Sequence, residues 1–143
     1  MGYKSINKSK CYCTTLSRAA NAVNTYYDEA FEKFGITSKQ YSLLMNLSRL
    51  GEANTVELAD FVNLERTTLS RNLKVLFAKG WIEDLAQGKV HRYALTQKGA
   101  AMIEQVKPVW ETLQTNMELL FGTQEMQDLL KKLHGIQVFR DKW

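Results

Sequence analysis

The stretch that decides the fold is Thr55 to Gly99, TVELADFVNLERTTLSRNLKVLFAKGWIEDLAQGKVHRYALTQKG. Its first part places Leu58, Ala59 and Val62 at helical spacing behind Thr55, whose hydroxyl can cap the turn that carries Glu57. Asn63 and Leu64 interrupt that helix after about two turns. A second helix then runs from Glu65 to Lys79 with Leu69, Leu73, Leu76 and Phe77 on one side, and Gly80 stops it. On a wheel of about 100° per residue, Thr67, Arg71, Lys74 and Ala78 fall opposite Leu69. The helix has an apolar back and a polar, cationic front. From Trp81 the pattern changes, because the β-formers Trp81, Ile82, Leu85, Val90 and Tyr93 flank Gln87-Gly88, where glycine supplies the positive φ of a tight turn. Two short strands are predicted, with Lys89 near the tip and His91 and Arg92 on the return strand.

Outward from this stretch the chain is helical. From Lys10 to Phe34 the residues Tyr12, Leu16, Ala19, Ala20, Val23, Tyr27, Ala30, Phe31 and Phe34 recur at steps of three and four, predicting one broad buried face, and Gly35 ends it. Thr37 with Gln40 three places later is a capping box, opening a helix through Tyr41, Leu44, Met45 and Leu47 to Gly51. Thr96 reads as the N-cap of a long helix to Phe121, bent or interrupted at Pro108. After Gly122, Thr123 opens a last helix with Met126, Leu129, Leu130, Leu133, Val138 and Phe139 as its apolar positions. The predicted class is therefore mainly α, with a winged helix-turn-helix lobe over 36–96 whose wing is a small β-hairpin.

That combination has a physical use. A single helix fits a B-DNA major groove about 12 Å wide, and hydroxyls and guanidiniums on its front reach base edges and phosphates. Arg71 is the best candidate for a base-edge contact, since a planar fork satisfies guanine N7 and O6 together. Arg66, Thr67, Thr68 and Ser70 accompany it as phosphate or thymine-methyl contacts, and Lys74 and Lys79 as general phosphate or solvent-facing charges. In the wing the candidates are Lys89, His91 and Arg92. Nineteen Lys and Arg against fifteen Asp and Glu give +4, with a pI near 9.1, a balance that permits a polyanionic partner without demanding one.

At 143 residues and 16.4 kDa the chain has room for one compact domain and excludes a barrel or two-domain enzyme. No window approaches the ~20 apolar residues of a membrane span, and Met1 to Lys10 lacks an apolar signal core, so no membrane association and a cytoplasmic location are expected. The two histidines, His91 and His134, come with no Gly-rich phosphate loop, zinc pair or nucleophile elbow. Neither catalysis, a metal nor a cofactor is expected. Cys11 and Cys13 are too close for a framework disulfide and too few for a four-ligand zinc site.

From Val56 to Gly99 the quoted stretch resembles the DNA-binding lobe of the MarR family of bacterial transcriptional regulators. The most specific pieces are Arg66-Thr67-Thr68-Leu69-Ser70-Arg71-Asn72-Leu73, Lys79-Gly80-Trp81-Ile82 and Leu95-Thr96-Gln97-Lys98-Gly99. The start CYCTTLSRAA with Tyr27-Asp28 is similar to a recurrent subgroup. One departure is visible, since family wings carry Asp-x-Arg where this chain has Gln87 and Lys89. The resemblance implies a homodimer formed by a helical dimerisation lobe, residues 8–35 and 97–143, that spaces two winged lobes over a pseudo-palindromic operator in double-stranded DNA. Independently, Trp110, Leu113, Met117, Leu120, Phe121, Leu129, Leu130, Leu133, Val138, Phe139 and Trp143 exceed the apolar surface one small lobe covers.

The leading functional expectation is a dimeric regulator of the repressor type, relieved by a small-molecule ligand wedged between lobes. Tyr26, Tyr41, Met45 and Trp110 are the candidate effector residues. Peroxide-sensing members of the family carry a reactive cysteine in the first helix, and Cys11 is similar in place; a helix N-terminus together with Lys8 and Lys10 would favour its thiolate. Cys11 and Cys13 lie about 200° apart on a helix, which disfavours a bridge between them. The other reading of both thiols is small interface residues. A winged-helix protein-interaction module that never meets DNA is the remaining alternative, and it would need an apolar or acidic front in place of Thr67, Arg71 and Lys74.

Overall fold

A computed structural model describes residues 10–62, 66–86 and 88–140. It divides into two compact units, one ending at Gln105 and one beginning at Val106. The first holds α1 (Tyr12–Phe31), α2 (Ser38–Leu50), β1 (Glu52–Ala53), α3 (Thr55–Val62), α4 (Arg66–Ala78), β2 (Ile82–Asp84), β3 (Tyr93–Leu95) and the start of α5 (Gln97–Phe121). The second holds the remainder of α5 and α6 (Thr123–Arg140). The protein is mainly helical with one small antiparallel sheet, as its residue pattern predicts.

Local chemistry explains most element boundaries. The α-helical part of α1 stops at Phe31, earlier than the predicted Phe34, because Glu32–Phe34 tighten into a 3-10 turn closed by Gly35, whose φ is 68°. The capping box of α2 is present: Gln40 N–H donates to Thr37 Oγ1 and Thr37 N–H to Gln40 Oε1. Asp28 Oδ1 accepts from Ser38 N–H at 2.7 Å and so anchors the start of α2 to α1. The cap of α3 is Asn54 rather than Thr55: Asn54 Oδ1 accepts from Glu57 N–H at 2.8 Å, and Glu57 Oε2 accepts in return from Asn54 N–H at 3.0 Å. Asn63, Leu64 and Glu65, where the interruption is predicted, lie outside the described residues.

Packing in the first unit follows the leucines. Leu43, Leu44 and Leu47 of α2, Leu58 of α3, and Leu69, Leu73 and Leu76 of α4 are buried together with Trp81 and Ile82. Each such side chain contributes about 1.5–3 kcal/mol through removal of apolar surface from water. Phe77 departs from the prediction that set it with these leucines, for it is 56% exposed. One residue past Leu76 turns it about 100° around the helix, off the centre of the buried stripe.

The sheet differs from a simple hairpin. Its order is β1-β3-β2, with Glu52 opposite Ala94 and Ala53 opposite Tyr93 on one side of β3, and Ile82 opposite Leu95 and Asp84 opposite Tyr93 on the other. β1 was not predicted, being only two residues long with no alternation to read. The return strand begins at Tyr93, so His91 and Arg92 belong with Lys89 to the connecting loop, contrary to the return strand predicted for them. Beyond the last strand pair a single bond from Leu85 N–H to Arg92 O, 2.7 Å, closes the loop's base.

Thr96 caps α5 by accepting from Gly99 N–H at 3.1 Å. Pro108 does not end this helix, which runs unbroken for 25 residues. In the second unit Val106, Leu113 and Met126 are buried, whereas Leu119, Leu120, Phe121, Ile136, Val138 and Phe139 are exposed. The predicted broad buried face of α1 is likewise open in the single chain: Phe31 is buried, but Tyr12 is 85% exposed and Leu16, Val23 and Tyr26 are exposed as well.

Candidate nucleic-acid interface

Burial of Leu69, Leu73 and Leu76 sets the rotation of α4, and that rotation decides what the helix shows outward. Arg66, Thr67, Ser70, Arg71 and Lys74 are all exposed, while Thr68 is half-buried at the edge of the face. Thr67, Ser70, Arg71 and Lys74 stand at steps of three and four, and seven residues at about 1.5 Å each spread them over about 10 Å of one helix face. Two cations and two hydroxyls on one such face match the donors that phosphate oxygens and base edges accept.

A residue that sequence reasoning took only for a cap also holds this helix. Gln40, 8% exposed, donates from Nε2 to Asn72 Oδ1 at 3.2 Å while its Oε1 serves the α2 capping box. Asn72 follows Arg71 directly, so this part-buried amide pair ties the start of α2 to the middle of α4. The available signal was a polar residue flanked by buried leucines in the register of the helix.

The loop between β2 and β3 supplies the second group of candidates. Lys89 is exposed. His91 Nδ1 is paired with Asp84 Oδ2, and its ring stacks on Tyr93, 17° from parallel with centroids 6.0 Å apart. Arg92 Nε meets Glu52 Oε1 of β1 at 2.9 Å. Asp84 further accepts from Ala86 N–H at 2.9 Å and Arg92 N–H at 3.3 Å. These donors, Ala86 first and then His91 and Arg92, hold its carboxyl below the usual aspartate range. Asp84 and Glu52 were absent from the predicted set, because only the fold brings them to the loop. Gln87 lies outside the described residues.

Lys79, read from sequence as a phosphate or solvent-facing charge, is instead engaged within its own lobe. Its ammonium lies 4.7 Å from the centre of the Trp81 ring and donates to Gly35 O. An open cavity of about 400 Å³ adjoins it, lined by Asp28, Glu29, Glu32, Gly35, Ile36, Thr37 and Gln40. The candidate effector residues lie elsewhere. Tyr26 and Met45 are at the surface, Tyr41 is buried edge-on to Phe31 at 5.2 Å between ring centres, and Trp110 is half-buried in the second unit.

Cys11 sits at the N-cap of α1 and Cys13 within its first turn; both are exposed and no disulfide joins them. The Cys11 thiol is held below its usual range, chiefly by donation from the backbone N–H of Thr14 and then from the Thr14 hydroxyl. Lys8 lies outside the described residues. Among the described residues no three metal-ligating side chains cluster, and no helix is long and apolar enough to cross a membrane.

Comparison with known proteins places this geometry among relatives. The family described as HVO_A0261 N-terminal domain matches residues 31–118. The transcriptional regulator MosR of M. tuberculosis is 30% identical, with a TM-score of 0.79 over 91% of this chain and 98% of that one. MosR has also been solved in complex with DNA. A variant of E. coli MarR complexed with operator DNA superposes with a TM-score of 0.73 at 25% identity, over 85% of this chain and 93% of that one. An uncharacterised HTH-type transcriptional regulator of Bacillus cereus is 26% identical over 118 residues, 82% of this chain and 80% of its own length. The likeness to the Bacillus subtilis regulator YwoH spans only half of that protein's length.

Proposed function

The chain belongs to the MarR-like winged-helix transcriptional regulators, and on that premise we propose that it binds a pseudo-palindromic operator as a homodimer and represses transcription until a small-molecule effector releases it. α4 enters the major groove with Arg71 on a base edge and Arg66, Thr67, Thr68, Ser70 and Lys74 on backbone and neighbouring bases. The observation that carries this reading is the outward row of hydroxyls and cations on α4, backed by three buried leucines. The exposed apolar residues of α1, α5 and α6 support a second copy as their cover. An effector that prefers the conformation with mismatched groove spacing then lowers operator affinity by no more than that preference.

Selection of bound fragments from random duplex DNA by the purified protein tests this directly. It is expected to return two half-sites about 10 base pairs apart or a multiple of that. On the recovered duplex, Arg71→Ala is expected to cost about 1–3 kcal/mol, and affinity to fall steeply with salt. Absence of any selected duplex, or an Arg71→Ala variant of unchanged affinity, points instead to a protein-interaction module.

A second reading is favoured by the state of Cys11. An exposed thiol with its proton loosened by Thr14 is suited to oxidation by peroxide, and its place at the start of α1 lies in the region proposed to dimerise. Peroxide is expected to lower operator affinity in step with loss of titratable thiol. Unchanged affinity with both thiols still titratable ends that reading.

A further inference from the structure

The loop from Leu85 to Arg92 hangs between strands of three residues each, too short a ladder to hold it by backbone bonds alone. One carboxylate gathers both of its arms. Asp84 Oδ1 accepts from Ala86 N–H on the outgoing arm, 2.9 Å, and from Arg92 N–H on the returning arm, 3.3 Å. Its Oδ2 takes His91 Nδ1, and the stacked Tyr93 ring fixes the imidazole from behind. On the opposite side of β3, Glu52 of β1 holds the Arg92 guanidinium. His91 and Arg92 are thus turned to the base of the loop. Lys89, beyond them and exposed, is the cation left toward the tip.

We propose that Asp84 is the positioning residue of the wing: it clamps the loop from the end of β2, with His91 as its hydrogen-bond partner on the returning arm, and so fixes where Lys89 meets the DNA backbone. The clamp sits at the root of the loop and needs no acid within it. With the clamp gone, Lys89 samples many positions, and its phosphate contact is lost to the entropy of ordering the loop at each binding event.

The inference rests on the reading that α4 and this loop bind duplex DNA. Its test uses the full chain and the duplex recovered from the random library by the wild-type protein, with affinities measured across a salt series. Lys89→Ala is expected to weaken binding about 3- to 10-fold and to lower the salt slope by about one. Asp84→Ala is expected to do the same, and adding Lys89→Ala to it to cost nothing more. Arg71→Ala and Asp84→Ala, by contrast, multiply their effects, since α4 does not depend on the clamp. His91→Gln, which removes the imidazole that pairs with Asp84 from the other arm, is expected to show the same non-additivity with Lys89 and serves if Asp84→Ala fails to fold. Full additivity of the Lys89 and clamp substitutions, or wild-type affinity in the clamp variants, overturns the proposal while leaving DNA binding intact. A wild-type protein that selects no duplex overturns both.

Discussion

At the scale of single residues, function and stability divide between the two faces of a few side chains' surroundings. Leu76 is fully buried, so Leu76→Ala is expected to cost about 2–5 kcal/mol of stability, read as a lower denaturant midpoint with unchanged slope. Arg71, five residues earlier and exposed, is expected to leave that midpoint unmoved when replaced by Ala, though operator affinity falls. Cys11 allows a test of sign. Donors from Thr14 stabilise the thiolate, so alkylation of Cys11 is expected to reach half its limiting rate below the usual thiol pH, and Thr14→Val to raise that midpoint. The backbone N–H of Thr14 stays in the variant, which makes the rise partial. An unmoved midpoint would show that the hydroxyl plays no part.

Elements were legible in proportion to how local their causes are. The Thr37–Gln40 box and the Thr96 cap lie within one turn of the helices they open, and both were read from sequence. The α3 cap was misread by one position, since Asn54 and Thr55 are both good caps and only the backbone's path selects between them. β1 and the extent of β3 were not legible, because a two-residue strand exists only by virtue of its partner. Gly99 shows how tightly one junction is built: a Cβ there would lie 2.0 Å from Trp81 O, a backbone atom that cannot swing aside. Gly99→Ala is therefore expected to destabilise the first unit by about 3 kcal/mol, seen as a lower thermal midpoint, whereas Gly88→Ala, with open space around it, is expected to show only the strain of its positive φ.

At the scale of the whole molecule, the apolar residues left open on α1, α5 and α6 govern assembly in the proposed reading. Sedimentation is expected to give twice the chain mass of 16.4 kDa, and Phe121→Glu with Leu120→Glu to shift it toward the single chain and to weaken operator binding with it. A single-chain mass for the wild type would remove the dimer from the proposal. What the residues determined unaided was the helical class, the order of elements around the wing and the cationic face of α4, because periodicity and capping act over a few neighbouring positions. Only the tertiary structure decided that Asp84 and Glu52 hold the wing's His91 and Arg92, and that Gln40 reaches Asn72. Those pairs join residues separated by up to 40 positions, and their partners are chosen by strand register and helix rotation, which no local pattern encodes.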